Sequence, residues 1–354
     1  MRAVRISRIT PGRNVGITDA PTPVARPGWV LVRVKAFGLN HSEQVLRLAE
    51  IENRYIARPV IPGIECAGIV EDPSDSGLVR GQTVVALMGG MGRSFDGSYA
   101  EFALLPRRNI FPVETNLSWA ELGAVPETYY TAWGSLFQGL GLRKGETLLV
   151  RGATCALGYA AVQIASAYGC RVVATTHRKS KLHLLADADE AVLDGGTCER
   201  MIADADKALE CIGPRTVPDT LRCVRRGGIV CSTGILGDQF VLNNFDPIRD
   251  IPNGVYLTGF FSNYPEQKDI SDVFSFLDEH SLVPRIGRVF RFGDVSKACT
   301  MQDEGGADGK IVVVMDDRGA GSPPARGLSV VDVPDGASNI DEMVRYPLGI
   351  GGEG

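Results

Sequence analysis

Residues 146–182 read ETLLVRGATCALGYAAVQIASAYGCRVVATTHRKSKL, and this stretch decides the fold. An apolar run at 147–151 leads through small residues into a helical pattern at 157–168, and a second apolar run follows at 171–176. A strand, a short turn and a helix in this order are typical of a dinucleotide-binding loop, because backbone N–H groups at the helix N-terminus can approach a pyrophosphate. The stretch therefore predicts a βαβ nucleotide-binding unit.

The turn of this unit has small side chains but is not a strict G-x-G-x-x-G. Alanine or cysteine stands at three places that glycine often holds, namely Ala153, Cys155 and Ala156. Gly158 allows the helix to pack closely on the strand. A tight turn that binds no ligand is the alternative reading. We predict that seven turn residues contact the cofactor: Gly152, Ala153, Thr154, Cys155, Ala156, Leu157 and Gly158.

The second strand of the unit ends in hydroxyl and basic side chains. NAD-binding units usually place a carboxylate here, which bonds the ribose 2′-OH. In this chain 175–179 reads TTHRK instead, with a further lysine at 181. A 2′-phosphate needs cations and hydrogen-bond donors, so the pattern favours NADPH; a solvated basic start of a helix is the alternative. The predicted contacts are Thr176, His177, Arg178 and Lys181.

The whole chain has 354 residues, a size typical of two domains, and 44% of them are hydrophobic. Strand-like runs separated by Pro and Gly dominate the first third, for example at 29–37 and 81–87. After position 118 strands alternate with helices, and strand-like runs return at 289–292 and 311–315. We predict an α/β fold, in which a doubly wound parallel sheet is inserted into a β-rich part.

Local patterns add further elements. Ser118 and Glu121 have the spacing of a capping box and predict a helix start. Helices are also predicted at 179–186 and 269–280, and an alternating strand at 1–9. No signal peptide or bilayer-spanning run is visible, so we expect a cytoplasmic protein that does not bind membranes.

The net charge and the cysteine spacing argue against nucleic-acid binding and against a structural zinc site. The net charge of -5 gives no general attraction to nucleic acid. None of the eight cysteines form a Cys-x-x-Cys pair, so we expect free, mostly buried thiols rather than a structural zinc site. The polar tail at 317–354 is expected to be a flexible extension, with a short helix near 340–345 as an option.

A series of short motifs follows in a specific order and spacing. They are Gly38-Leu39-Asn40-x-x-Glu43, Pro62-Gly63-Ile64-Glu65-Cys66-Ala67-Gly68, Asp96-Gly97-Ser98-Tyr99-Ala100-Glu101, Thr131-Ala132-Trp133, the turn at 152–158, Gly227-Gly228 with Thr233-Gly234, and Gly309-Lys310-Ile311-Val312-Val313. Over about residues 1–316 the chain thus resembles the medium-chain dehydrogenase/reductase superfamily, specifically its zinc-independent quinone and enoyl reductase branch.

The resemblance implies two domains with the active site in the cleft between them. A GroES-like β-rich catalytic domain would span 1–118 and 285–316, and a Rossmann domain with a doubly wound parallel sheet would span 119–284. It also implies a homodimer joined through Rossmann strands, with 255–261 as the candidate edge.

Departures from the zinc-dependent relatives predict that no metal is bound. Those relatives have Cys in place of Asn40 and His in place of Ile64, whose hydrocarbon side chain cannot bind a metal. Glu127 could fall at the third ligand position, but one carboxylate cannot hold zinc alone. The four cysteines of the family's structural zinc lobe are also missing before Ser98.

Without a Lewis acid, reduction of a polarised C=C or a quinone is favoured, because the developing oxyanion needs only hydrogen-bond donors and a proton. We predict two catalytic residues: Asn40, near the nicotinamide and also a cofactor contact, and Tyr55, which could give the proton. His41 is an alternative donor. Thr131 resembles the family's nicotinamide contact. The other predicted cofactor contacts are Cys211, Gly234, Ile235, Phe260 and Lys310.

The leading hypothesis is an NADPH-dependent reductase of a small-molecule enone, enoyl or quinone substrate, with a carrier-bound acyl chain as a further candidate. Two alternatives stay open, because a fold does not determine a function. One is an NADPH-binding regulatory protein, and the other is a non-redox cyclase or isomerase on the same fold. The turn and the basic residues after it favour the reductase.

Overall fold

The computed structural model describes residues 1–199 and 202–316, which form three β-sheets. Their strands are β1 Arg2–Val4, β2 Ile17–Asp19, β3 Trp29–Gly38, β4 Glu65–Asp72, β5 Thr83–Leu87, β6 Phe102–Pro106, β7 Ile110–Pro112, β8 Thr147–Arg151, β9 Arg171–Thr176, β10 Glu190–Leu193, β11 Ala205–Glu210, β12 Val224–Ser232, β13 Tyr256–Gly259, β14 Ile286–Arg291 and β15 Lys310–Val314.

The helices are mostly short. They are α1 His41–Val45, α2 Trp119–Leu122, α3 Pro126–Trp133, α4 Ala156–Tyr168, α5 Val217–Thr220, α6 Pro247–Asp250, α7 Gln267–Glu279 and α8 Val295–Asp303. Single 3₁₀ or π turns lie at Gly12–Asn14, Leu46–Glu50, Arg107–Asn109, Gly134–Gly139, Lys179–Leu185 and Phe292–Asp294.

The predicted parallel sheet is confirmed. Its six strands lie in the order β10-β9-β8-β11-β12-β13, and every neighbouring pair is parallel. Leu148, Leu149 and Val150 of β8 are fully buried, because both faces of the central strands are covered. The strand order reverses between β8 and β11, and open parallel sheets bind ligands at the carboxyl ends of the strands beside such a reversal.

The second large sheet is mainly antiparallel and has the order β14-β15-β3-β4-β5-β7, with β6 also paired to β3. Strand β15 pairs antiparallel with β3, so that Val312 lies opposite Gly38. The chain therefore returns to the β-rich sheet, as the sequence predicts. The predicted domain boundaries stay predictions, and the tail at 317–354 lies outside the described residues.

Several local predictions can be compared with the structure. Ser118 caps α2 through a capping box with Glu121, as predicted. The predicted helix at 179–186 is present as a 3₁₀ helix, Lys179–Leu185. No side chain caps it, and its first turn holds cations that oppose the helix dipole. The strand predicted at 1–9 shortens to Arg2–Val4, because the chain pairs only there with β2.

Two further observations concern helices and cysteines. No helix within the described ranges is long and apolar enough to span a bilayer. All eight cysteines are free, and only Cys155 is partly exposed. At the edge of the parallel sheet lies β13, where the sequence predicts a dimer contact; the dimer itself stays a prediction.

Candidate active site

The dinucleotide turn connects β8 to α4. Gly152 adopts a φ of 79°, which L side chains rarely adopt, and the side chains at 154–157 are partly exposed. A Cβ at Gly158 would lie only 2.5 Å from the Cα of Ala153, so the helix approaches the strand as closely as predicted. Such a turn at a helix N-terminus fits a pyrophosphate.

Cys155 is the N-cap of α4. Its sulfur accepts a hydrogen bond from the backbone N–H of Gly158 at 3.2 Å. A hydrogen bond from the Cys211 thiol is the main reason that the pKa of Cys155 lies below its ordinary value, with further help from the backbone donors of this turn. The sequence predicts Cys155 only as a cofactor contact, so the capping role is a new finding.

Beneath the turn, Arg151 ends β8 as a fully buried cation. Its Nε donates to Asp194 at 2.9 Å, and its Nη1 donates to Asp219 at 2.6 Å and Thr220 at 2.9 Å. Burial alone would raise the pKa of Asp194, but the Arg151 hydrogen bonds hold it below its usual value. The network ties the end of β8 to the segments after β10 and β11.

The four residues predicted to bind the 2′-phosphate differ from one another in burial and in their partners. Thr176 is buried and shares a 2.9 Å hydrogen bond with Thr154, which links the strand end to the dinucleotide turn. His177 and Arg178 are exposed. Lys181, in contrast, lies 2.7 Å from Asp308 in an ion pair. Arg178 is therefore the more exposed of these two cations, and its Nη1 donates to the Gly305 carbonyl at 3.3 Å.

The predicted residues Asn40 and Lys310 meet in a buried polar cluster. The Nζ of Lys310 donates to Asn40 Oδ1 at 2.5 Å, to Glu65 Oε1 at 2.7 Å and to Thr128 Oγ1 at 2.8 Å. The Nδ2 of Asn40 also donates to Glu65 Oε1 at 2.8 Å. The three N–H bonds of the ammonium are thus all in use.

Glu43 fixes the loop that carries Asn40. Its carboxylate accepts hydrogen bonds from the backbone N–H groups of Asn40 at 2.8 Å and Ile64 at 2.9 Å, and it completes a capping box for α1. Because it is fully buried, desolvation raises its pKa. Through these contacts Glu43 supports the loop that carries Asn40.

Glu127 and Thr131 lie one helical turn apart in α3, beside the cluster. The hydroxyl of Thr131 donates to Glu127 Oε1 at 2.9 Å, and the backbone N–H of Glu127 donates to Glu65 Oε2 at 2.8 Å. Glu127 keeps part of its surface accessible. Burial of its carboxyl still raises the pKa of Glu127 to about 7.

The remaining predicted cofactor residues lie at the carboxyl ends of β11 to β13. Cys211 is fully buried, and a Cβ at Gly234 would lie 1.9 Å from its carbonyl oxygen, so these two strand ends interlock. Ile235 is partly exposed beside them. The ring of Phe260 packs edge-to-face on Tyr130 at 5.7 Å between centroids. The cofactor contacts of these residues stay predictions.

Tyr55 and His41 have no contact with the cluster in the described part of the chain. Tyr55 is 36% exposed, and its hydroxyl accepts a hydrogen bond from Asn53 at 3.4 Å. Desolvation raises its pKa, which makes the phenol a weaker acid. His41 shares a 2.9 Å hydrogen bond with Gln44. The proton-donor role of either residue is therefore less well supported than the sequence suggested.

Metal binding has little support among the described residues. They contain no group of three His, Cys, Asp or Glu side chains that could hold a metal ion. Ile64 is buried at 5% exposure, and Asn40 is engaged with Lys310 and Glu65.

The sequence alone indicates no chemical role for Glu65 or Thr128, and it places Glu127 only where zinc-dependent relatives have their third ligand. Glu65 was visible only as part of a family motif, and a carboxylate in an apolar strand such as β4 was the available signal. Glu127 follows Pro126 at a helix start, where acidic residues are common for capping reasons alone.

Comparisons with known proteins agree with this architecture. The family model described as "Alcohol dehydrogenase GroES-like domain" matches residues 26–115, and that described as "Zinc-binding dehydrogenase" matches 156–279. Quinone oxidoreductase from Mus musculus is 30% identical over 251 residues, which are 67% of this chain and 74% of the mouse protein.

Solved structures share the fold of this chain. A thermostable alcohol dehydrogenase from Pyrobaculum aerophilum superposes with a TM-score of 0.77 at 26% identity, over 89% of this chain and 99% of that chain. A quinone oxidoreductase from Coxiella burnetii has a TM-score of 0.75 with the same coverage, but its 18% identity supports the fold alone. The chain is therefore an oxidoreductase that belongs to the medium-chain dehydrogenase/reductase superfamily, in its quinone oxidoreductase branch.

Proposed function

We propose that this protein is a zinc-independent, NADPH-dependent reductase that reduces a polarised C=C or a quinone. One observation carries the proposal. Asn40, which stands where zinc-dependent relatives have a cysteine ligand, is hydrogen-bonded to the buried ammonium of Lys310. That ammonium is already balanced by Glu65 at 2.7 Å. A fixed cation with its own counterion leaves little electrostatic reason for a second cation at the same place.

The open dinucleotide turn and the exposed Arg178 support NADPH as the cofactor. Glycines at 152 and 158 leave room for the backbone to approach a pyrophosphate. At the end of β9 stand Thr176, His177 and Arg178 instead of a carboxylate. When bound, the nicotinamide supplies a hydride. The protein would bind and orient it, with the Thr131 hydroxyl and Asn40 as the nearest polar groups in our assignment.

The choice between NADPH and NADH is tested at Arg178. We expect Arg178→Ala to weaken NADPH binding by about tenfold while NADH binding stays the same, because a charge-assisted hydrogen bond to the 2′-phosphate is lost. Dissociation constants for both nucleotides would be measured by quenching of intrinsic fluorescence.

The matched control is Arg171→Ala. Arg171 lies at the opposite end of β9 and pairs on the surface with Glu190. This variant should bind both nucleotides like the wild type. An Arg178→Ala variant that keeps wild-type NADPH affinity would contradict the 2′-phosphate assignment.

The reaction class is tested with a substrate panel. We expect NADPH oxidation with quinones, enones or α,β-unsaturated thioesters, including carrier-bound acyl chains, and little oxidation of simple alcohols with NADP⁺. The rates should be unchanged after treatment with a zinc chelator, and metal analysis should give no stoichiometric zinc. NADPH binding without turnover of any compound would favour a regulatory or non-redox role on the same fold.

A further inference from the structure

The buried cluster beside α3 contains more negative than positive charge. Three carboxyl groups, those of Glu43, Glu65 and Glu127, surround the single ammonium of Lys310. If all three were ionised, the cluster would carry two uncompensated negative charges. Such charges are costly away from water, so one carboxyl group is expected to carry a proton.

Glu65 and Glu43 each accept more hydrogen bonds than Glu127 does. Glu65 accepts from Lys310 at 2.7 Å, from the Asn40 amide at 2.8 Å and from the backbone N–H of Glu127 at 2.8 Å. Glu43 accepts from two backbone N–H groups, those of Asn40 and Ile64. Donors of this kind stabilise the ionised form of a carboxyl group.

Glu127 differs from both in its contacts and exposure. In the described part of the chain, its carboxyl accepts one hydrogen bond, from the Thr131 hydroxyl at 2.9 Å. That hydroxyl can rotate to accept a hydrogen bond from a protonated carboxyl group instead. Glu127 is also the one residue of the three that is not fully buried. It is therefore the one that a bound molecule could approach most easily.

We propose that Glu127 holds the proton that the reduction consumes and delivers it to the oxygen of the substrate. This inference rests on the proposed function and names a catalytic acid for it. The substrate gains a hydride at carbon, or at oxygen for a quinone, and its carbonyl oxygen gains an electron pair. The O–H bond of Glu127 breaks, an O–H bond forms on that oxygen, and the Glu127 carboxylate recovers a proton from water.

The charges around Glu127 favour release of its proton once the substrate has received the hydride. The charged groups that face it are Lys310 on β15, Glu65 on β4 and Glu43 on α1. If a nicotinamide were bound near Thr131, as in our assignment, its oxidised form would be positively charged. That charge would stabilise the Glu127 carboxylate, so its proton would be easier to release. The pKa of Glu127 at about 7 allows it to be largely protonated just below neutral pH.

Other groups near the cluster are less suited to this role. Lys310 uses all three N–H bonds on Asn40, Glu65 and Thr128, so a transfer from it would break the cluster. Tyr55 is a weaker acid than an ordinary phenol, because desolvation raises its pKa.

The first test needs no substrate. Proton release on NADP⁺ binding to the full chain would be measured by calorimetry in buffers of different ionisation enthalpy. We expect roughly half a proton to be released at pH 7 by the wild type and little on NADPH binding, because only the oxidised cofactor is positively charged near Glu127. Glu127→Gln should abolish the release, and the exposed control Glu279→Gln should not.

The second test measures turnover with the best substrate of the panel. Glu127→Gln should lower kcat by about 100-fold at pH 6.5 and remove its decline above pH 7, whereas the exposed control Glu279→Gln should keep wild-type kcat. If Glu127→Gln does not fold, Thr131→Val replaces it. Loss of the Thr131 donor should move proton release to higher pH, because the ionised form loses its hydrogen bond.

The outcomes separate this inference from the proposed function. Unchanged proton release in Glu127→Gln, or wild-type kcat in that variant, overturns the role of Glu127 even if the protein is a reductase. Absence of turnover with the whole panel overturns the proposed function instead. If no compound is turned over but proton release on NADP⁺ binding still depends on Glu127, then Glu127 titrates when the cofactor binds and only the proposed function is overturned.

Discussion

Arg151→Ala should lower the free energy of unfolding by about 3–5 kcal/mol, because it leaves buried carboxylates without their cation. Asp194 and Asp219 lie 2.9 and 2.6 Å from the guanidinium, which is fully buried. The residue also precedes the dinucleotide turn, so nucleotide affinity should fall as well. Urea denaturation followed by circular dichroism would measure the change.

The pH dependence of this effect has a definite sign. The folded protein lowers the pKa of Asp194, so the ion pair contributes stability above the ordinary Asp pKa of about 4 and loses it as the pH falls. The deficit of Arg151→Ala should therefore be largest at neutral pH and shrink in acid. The control is Arg171→Ala, whose ion pair is about half exposed and should cost at most about 1 kcal/mol. Equal losses in both variants would contradict this account.

Gly158→Ala should weaken NADPH binding by at least about tenfold and lower stability by about 1–3 kcal/mol. The new Cβ would lie 2.5 Å from the Cα and 2.6 Å from the carbonyl oxygen of Ala153. Backbone atoms cannot move aside cheaply, so α4 would shift away from β8. The N–H groups of the turn would then no longer point at the pyrophosphate. Calorimetric titration with NADPH and thermal denaturation would measure both effects.

Gly195→Ala provides the matched control for this substitution. Gly195 lies in the loop after β10, and a Cβ there would meet no atom within 4 Å. Stability should change by less than about 1 kcal/mol, and NADPH affinity should stay the same. If Gly158→Ala behaved like Gly195→Ala, close helix–strand approach would not be what Gly158 provides.

The parallel sheet could be predicted because its signals are local. The apolar runs of β8 and β9 and the small residues between them lie within 37 consecutive positions, 146–182. The capping box at Ser118 and Glu121 is equally local, and it is present. The 3₁₀ geometry of the helix at Lys179–Leu185 could not be predicted, because helical periodicity does not show that its cationic N-terminus lacks a side-chain cap.

The polar cluster could be predicted only in part, because its members are distant in sequence. Asn40 and Lys310 were proposed separately, but their 2.5 Å contact depends on the register of β15 on β3. Glu65 and Glu127 could not be assigned to the cluster from the sequence, since carboxylates are usually exposed and the burial of these two follows from packing between α3 and β4. The pairing of Lys181 with Asp308 likewise requires the return of the chain after α8.

The position of Lys310 near the end of the described chain has a consequence for biosynthesis. Glu43 and Glu65 leave the ribosome more than 240 residues before Lys310, which follows from their positions in the sequence. Until then, packing of the β-rich part around these carboxyl groups would bury them without this cation, which is costly unless they are protonated. We therefore expect the β-rich sheet to complete its packing only after β15 has been synthesised.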